Sequence, residues 1–253
     1  MSIGDMSQAT GEARKVEPVT AGLNFQIART LDEVLAAWEI VYQAYRDIGL
    51  IDPNQYRIHT APQAIGSHVA VTAGVINGLT VSTLTVMADN PQGLPLDRVY
   101  AGELTSLRNN GHKLMEVGLF ADRRRQLSRS AEALLQLMRY AFYFGVSQGV
   151  TDFVIGVHPR HSRFYIRSFG FEPVGSPRTY PAVNNNPVML LKGDLHAKLT
   201  ARKHPALEYF MANPVPVELF DERFRFRPEL TADTRLANYL RDRAKASSMA
   251  QTG

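Results

Sequence analysis

Between Lys113 and Val174 the chain alternates strand and helix through five successive elements, and that alternation limits its possible folds more than any other feature. Lys113 to Ala121 is a largely apolar strand, and the basic segment Asp122 to Arg129 follows it. Ser128 or Ser130 can cap a helix running from about Ser130 to Gln148, which Gly149 would end. Asp152 to Val157 is nearly continuous in apolar residues, the pattern of a strand covered on both faces. His158-Pro159 stops that strand, Arg160 to Phe169 reads as a short helix closed by Gly170, and Phe171 to Val174 begins another strand. Val188 to Leu191 reads as the last strand. A strand–helix–strand crossover of this length predicts parallel pairing with a right-handed connection.

The upstream pattern is different. Asn24 to Ala28 alternates like a short strand, and Thr30 followed by Glu33 is a capping-box pattern. Leu31, Val34, Leu35, Trp38, Val41 and Tyr42 then share one helical face, so a helix is expected over Leu31 to Arg46. The polar, loop-like stretch from Gly49 to Gly66 leads to a β-rich run, His68 to Ile76, then Asn77-Gly78 and a return strand, Thr80 to Met87. Asn-Gly between such runs signals a hairpin. A short helix is expected over Tyr100 to Asn109. Antiparallel strands followed by strand–helix alternation give a mixed, twisted α/β (α+β) sheet flanked by helices. Residues 24–195 form the expected domain. Residues 1–23 read as a disordered tail. Residues 196–253, with Pro214, Pro216 and Pro228, read as a charged arm carrying a helix near Thr231 to Ser247.

Composition excludes several chemistries. The chain has 253 residues and no cysteine, which removes thiolate nucleophiles, disulfides and Cys-ligated zinc. No metal site is expected, because the seven histidines show no paired ligand spacing of the HExxH kind. Neither a P-loop nor a dinucleotide fingerprint appears, so no tightly bound cofactor is expected. No run approaches the roughly 20 apolar residues that span a bilayer, and residues 1–20 lack the apolar core of a signal peptide. The expectation is a soluble, cytoplasmic protein without stable membrane insertion. The net charge of +4 matters less than its placement. Arg123, Arg124, Arg125 and Arg129 cluster after one strand, and Arg160, Arg163 and Arg167 recur at helical spacing. Such clusters suit an anionic partner or a solvated basic face. Nucleic acid is not expected, since no stacking aromatics are interleaved with them.

Two segments carry a resemblance. His158-Pro159-Arg160-His161-Ser162-Arg163-Phe164-Tyr165-Ile166-Arg167-Ser168-Phe169-Gly170-Phe171 resembles the close of the GNAT acyltransferase fold, where a short helix bearing a tyrosine leads into Gly-Phe. Leu94-Pro95-Leu96-Asp97, Glu103-Leu104, Leu107-Arg108, Gly111 and Met115 to Ala121 resemble the N-acyl amino acid synthase family, which is similar to the acyl-homoserine lactone autoinducer synthases. Val41 to Arg46 resembles the start of the same group, and the likeness spans roughly residues 25–195. It implies transfer of a long-chain fatty acyl group to the amine of a free amino acid. The donor would be an acyl-4'-phosphopantetheine thioester on acyl carrier protein, with acyl-CoA as the alternative carrier. The Gln/Arg-x-x-Gly-x-Gly/Ala loop of ordinary GNAT enzymes is replaced by Arg123 to Ala131 without a glycine, which tilts the donor from acetyl-CoA toward a carrier protein. Gly118-Leu119-Phe120 stands where autoinducer synthases usually carry an arginine, which points away from lactone synthesis. Two other readings stay open: a GNAT acetyltransferase using a short acyl-CoA, and a non-catalytic acyl-sensing or partner-binding shell with Glu116 exposed or salt-bridged.

Aminolysis of a thioester needs a proton acceptor, donors for the oxyanion and a proton for the leaving thiolate. Glu116 is the leading base because a carboxylate in an apolar strand is costly unless partnered, and burial would lift its pKa. His158, at the end of the central strand, is the second candidate as base or as carboxylate ligand, or else it caps the next helix. Tyr165 matches the tyrosine that the resemblance implies as acid, and it can equally be a packing aromatic. The backbone of Leu119, Phe120 and Ala121 is where the resemblance implies substrate contacts, and Gly118 is the candidate for a bulge splaying the strands. Arg123, Arg124, Arg125 and Arg129 are the candidates for the carrier or its phosphopantetheine. Leu134, Leu137, Met138, Ala141, Phe142 and Phe144 fit a core, with an acyl tunnel as the alternative.

Overall fold

The computed structural model describes residues 22–124, 127–195, 205–221, 223 and 235–249. The strands are β1 (Asn24–Ile27), β2 (Val69–Ile76), β3 (Leu79–Ala88), β4 (Leu114–Asp122), β5 (Asp152–Val157), β6 (Glu172–Pro173), β7 (Arg178–Tyr180) and β8 (Asn186–Asp194). The helices are α1 (Leu31–Asp47), α2 (Asp97–Asn109), α3 (Leu127–Ser147), α4 (Pro159–Phe169), α5 (Pro205–Ala212) and α6 (Arg235–Met249). The sheet order is β1-β2-β3-β4-β5-β8-β6, with β7 paired to β8. β4 and β5 are parallel, and the other described ladders are antiparallel.

Local chemistry explains the first half. Thr30 and Glu33 complete the capping box of α1, with the Thr30 hydroxyl accepting from the Glu33 amide. Asn77 and Gly78 both take positive φ, 49° and 77°, in the two-residue turn joining β2 to β3. A turn of that hand matches the twist of the strands it joins. Gly170 closes α4 in the left-handed conformation.

Two expectations differ. β6 does not lie beside β5, because β8 inserts between them and takes both edges in antiparallel register. The long apolar return strand outcompetes a two-residue β6 for the central position. Helix α3 begins at Leu127, three residues ahead of the expected start. The expected disorder of residues 1–23 concerns segments outside the described residues, except that Leu23 is buried.

Two cores flank the sheet. One joins Leu84, Val86, Met115, Val117, Phe153 and Ile155 to the inner face of α3 and to Phe210 of α5. The other joins Val71, Met87, Leu114 and Val154 to Trp38 of α1, to Leu96 and Tyr100 at α2, and to Leu236 and Tyr239 of α6. Alternation along β4 sends Leu114 to the second core and Met115 and Val117 to the first. Trp38 is buried and its indole N–H donates to the Thr85 hydroxyl at 3.3 Å, tying α1 to β3. Trp38→Ala is expected to lower stability by about 3–5 kcal/mol, read as a shifted denaturant midpoint.

Candidate active site

The β4–β5 ladder lasts three residue pairs, Leu114 with Asp152, Met115 with Phe153 and Glu116 with Val154. Beyond Glu116 the two strands run unpaired with each other. The cause lies on the opposite edge of β4, where Gly118 pairs with Thr85 and Ala121 with Thr83, so β4 carries one extra residue. Leu119 absorbs it at a φ of 51°. A bulge turns its strand away from the neighbour. The expected bulge is therefore present, with Leu119 rather than Gly118 as its left-handed residue.

A cleft of about 540 Å³ opens at this fork. Its walls include Leu84 and Leu134 from one core and Met87 and Leu96 from the other, so it passes between β4 and β5 from one face of the sheet to the other. Gly156 on β5 keeps it narrow but open. A Cβ there would stand 2.7 Å from a Leu96 methyl and 2.9 Å from a Val188 methyl.

Glu116 lies at the apex, 6% exposed. Its Oε2 accepts a hydrogen bond from the Leu96 amide at 2.9 Å. Burial pushes its pKa up to about 8; the Leu96 N–H works against that rise, and the charge of Asp97 adds to it. No ion pair to Glu116 occurs among the described residues. The turn presenting Leu96 is itself held. Asp97 Oδ2 accepts from the Leu94 amide at 2.7 Å, and Arg108 bridges Asp97 at 2.7 Å and Asp89 at 2.5 Å. The Leu94-to-Asp97 and Arg108 segments singled out in the sequence thus act together on the carboxyl group.

The other expected residues separate into groups. Tyr165 lines the cleft, and its ring also packs on Phe164, Phe169 and Phe171. Burial pushes its phenol up to about 12, so it is a neutral donor at physiological pH. His158 lines the cleft while its Nδ1 accepts from the Arg160 amide at 3.2 Å, capping α4. In the neutral ring that contact leaves the proton on Nε2. Gly118, Leu119 and Phe120 line the cleft. Ala121 instead packs on Ile40 and Val41 behind the strand. Arg123 is exposed at the end of β4. Arg124 is half-buried against Asp122, with 2.6 and 2.9 Å contacts, so it serves the fold there. Arg125 lies outside the described residues, as does the Arg129 side chain. Of the α3 candidates, Leu134 and Met138 line the cleft while Leu137, Ala141, Phe142 and Phe144 are core.

Sequence reasoning passed over Tyr45, His59, Tyr180, Arg98 and Arg243, which share the cleft. Tyr45 stood inside the Val41-to-Arg46 segment, and nothing local marked the other four. Burial pushes the Tyr45 and Tyr180 phenols up, with Glu116 contributing to both. Burial pulls His59 down to about 3, and Arg243 adds to that. The cleft therefore presents neutral phenols, a neutral imidazole and a carboxyl group poised near neutrality. Among the described residues no cluster of three or more metal-ligating side chains occurs.

A mixed sheet forked between two central parallel strands, with a cleft at the fork, is the GNAT-like acyltransferase fold. Solved structures agree on that fold. FeeM, an N-acyl amino acid synthase from uncultured soil microbes, is 24% identical with a TM-score of 0.61, covering 69% of this chain and 92% of its own. The CoA-dependent acyl-homoserine lactone synthase BjaI, with SAM and isopentyl-CoA, is 12% identical at a TM-score of 0.52, covering 79% and 99%. The AHL synthase LasI is 12% identical at 0.50, covering 70% and 91%. No curated protein matches the chain. The family model for the N-acyl amino acid synthase FeeM matches residues 36–194, and the chain belongs to that family. It is an acyltransferase.

Glu116 makes a prediction that needs no substrate. Its folded pKa, about 8, exceeds the ordinary carboxyl value of 4.5. A raised pKa gives stability that is present below the unfolded value and lost as pH rises through the folded one. Glu116→Gln keeps an acceptor for Leu96 and cannot ionise. It is expected to match the wild type near pH 4.5 and to exceed it by roughly 1–4 kcal/mol above pH 8, measured by denaturant unfolding across pH.

Proposed function

We propose that the protein transfers a long-chain fatty acyl group from acyl carrier protein to the amine of a free amino acid. The observation that carries this reading is the buried Glu116, without an ion pair among the described residues, at the apex of a cleft that runs through the sheet. A through-sheet cleft lets two substrates approach from opposite faces and meet at one point. Glu116 alternates with Val117 along β4 and so faces the α1/α2 side, which the amine would enter. The thioester would come from the α3/α4 side, where Leu134 and Met138 offer an apolar wall to an acyl chain.

The chemistry follows from the electrostatics. A carboxyl group near pKa 8 is a far stronger base than an ordinary carboxylate, so it takes a proton from an α-ammonium group at much lower cost. The freed amine attacks the thioester carbonyl. Backbone N–H groups near the Leu119–Phe120 bulge are the donors for the oxyanion. As the C–S bond breaks, Tyr165 gives its phenolic proton to the thiolate and is reprotonated, through solvent, by the proton that the attacking nitrogen releases as it becomes the amide. His158, with Nδ1 engaged by the Arg160 amide, presents Nε2–H as a donor and suits anion binding better than proton abstraction. The turn from β4 to α3 carries no glycine, which supports a carrier-protein donor over acetyl-CoA; exposed Arg123 is the residue there to meet an acidic carrier. The buried Glu116, open to a cleft and without a salt bridge among the described residues, speaks against a binding-only shell.

The test is incubation with long-chain acyl carrier protein and a mixture of amino acids, analysed for N-acyl products by mass spectrometry. Parallel reactions would use acetyl-CoA and palmitoyl-CoA. A long-chain N-acyl amino acid formed from the carrier is expected, with kcat lowered at least about 100-fold in Glu116→Gln. Product from acetyl-CoA alone would overturn the carrier-protein reading.

A further inference from the structure

The family match ends at residue 194, yet the cleft is completed by a residue far beyond it. Arg243, on α6, is part of the cleft wall. Helix α6 is seated firmly there. Leu236 and Tyr239 are buried, and the Tyr239 hydroxyl meets both the amide and the carbonyl of Thr60 at 3.1 Å. Tyr56 donates to Asp242 at 2.5 Å, and Arg235 pairs with Glu39 of α1. Thr60 follows His59, so the helix is pinned to the wall segment that carries that imidazole.

Arg243 lies on the face of the sheet toward which Glu116 points. Leu236 and Tyr239 of its helix pack in the same core as Leu96, whose amide holds the Glu116 carboxyl group. Tyr180, also on the cleft wall, is near both: its hydroxyl donates to the Pro95 carbonyl at 3.3 Å, next to Leu96, and its phenol feels the charges of Glu116, Arg98 and Arg243. A second route runs through His59, which feels Arg243 and whose ring stands 5.2 Å from that of Tyr45, a phenol that feels Glu116.

We propose that Arg243, brought into the cleft by the C-terminal helix, binds the carboxylate of the acceptor amino acid while Glu116 takes the proton from its amine. This rests on the acyl-transfer reading and names what recognises the acceptor. In an α-amino acid one carbon separates amine and carboxylate, so an anion stands about 3 Å from the nitrogen that Glu116 serves. A guanidinium matches a carboxylate with two parallel hydrogen bonds. Arg98, on the same cleft wall, adds positive charge to that site.

The test is calorimetric titration with N-dodecanoyl-tyrosine and N-dodecanoyl-leucine, each against the matching N-dodecanoyl amine that lacks the carboxylate. Wild type is expected to prefer the carboxylates at least tenfold. Arg243→Ala should lose that preference while keeping its affinity for the N-dodecanoyl amines, and Arg243→Lys should restore part of it. A wild type without carboxylate preference, including one that binds neither member of a pair, overturns the proposal. Equal weakening for both members in Arg243→Ala overturns it too, since that marks displacement of the helix. Unchanged preference in Arg243→Ala does the same. These outcomes need no donor, so a protein that binds the carboxylates yet forms no product from acyl carrier protein would fail the acyl-transfer reading alone.

Discussion

The site depends on a pairing that stops. β4 and β5 stay together for three residue pairs and then part, because β4 must fit one extra residue against β3 and does so at Leu119. Separating two central strands of a sheet exposes backbone groups and apolar side chains that a continuous ladder would bury. Here the resulting gap is the cleft, walled by both cores, and Glu116 stands at the last paired position. Moving the bulge along β4 would move the apex away from that carboxyl group.

Electrostatics at the apex follow from burial. A single backbone amide, from Leu96, opposes the desolvation of Glu116 without abolishing it. Had Arg108 reached Glu116, the carboxyl group would be a permanent anion and a poor base. Arg108 is instead held by Asp89 and Asp97, where it fixes the turn that carries the Leu96 amide. The charge thus acts on Glu116 through geometry. The surrounding phenols and His59 are kept neutral by their own burial, so the fixed charges that line the cleft are cations, Arg98 and Arg243 among them.

Where side-chain chemistry is local, the sequence was legible. The Thr30–Glu33 box, the Asn77-Gly78 turn and the Gly170 terminus lie where their residue types require, because each rests on contacts within a few residues. Glu116 stood out since one carboxylate in an apolar strand has few explanations. The place of β8 between β5 and β6 was not legible, because strand order is decided by competition among segments distant in the chain. Arg124 looked like its neighbours in a basic run, and its partner Asp122 is a local contact that the run concealed.

The class of fold is written in the chain, since strand–helix alternation after an antiparallel hairpin leaves few arrangements, and so is the carboxylate most costly to bury. What surrounds that carboxylate depends on segments that only folding brings together. Leu96 is 20 residues away along the chain, and Arg243, beyond the family match, reaches the same cleft through a helix pinned at Thr60. Periodicity and capping are read over one or two turns of chain. The pKa of a buried group and the cations facing its cleft depend on what folding brings alongside it, and no local pattern encodes those distances.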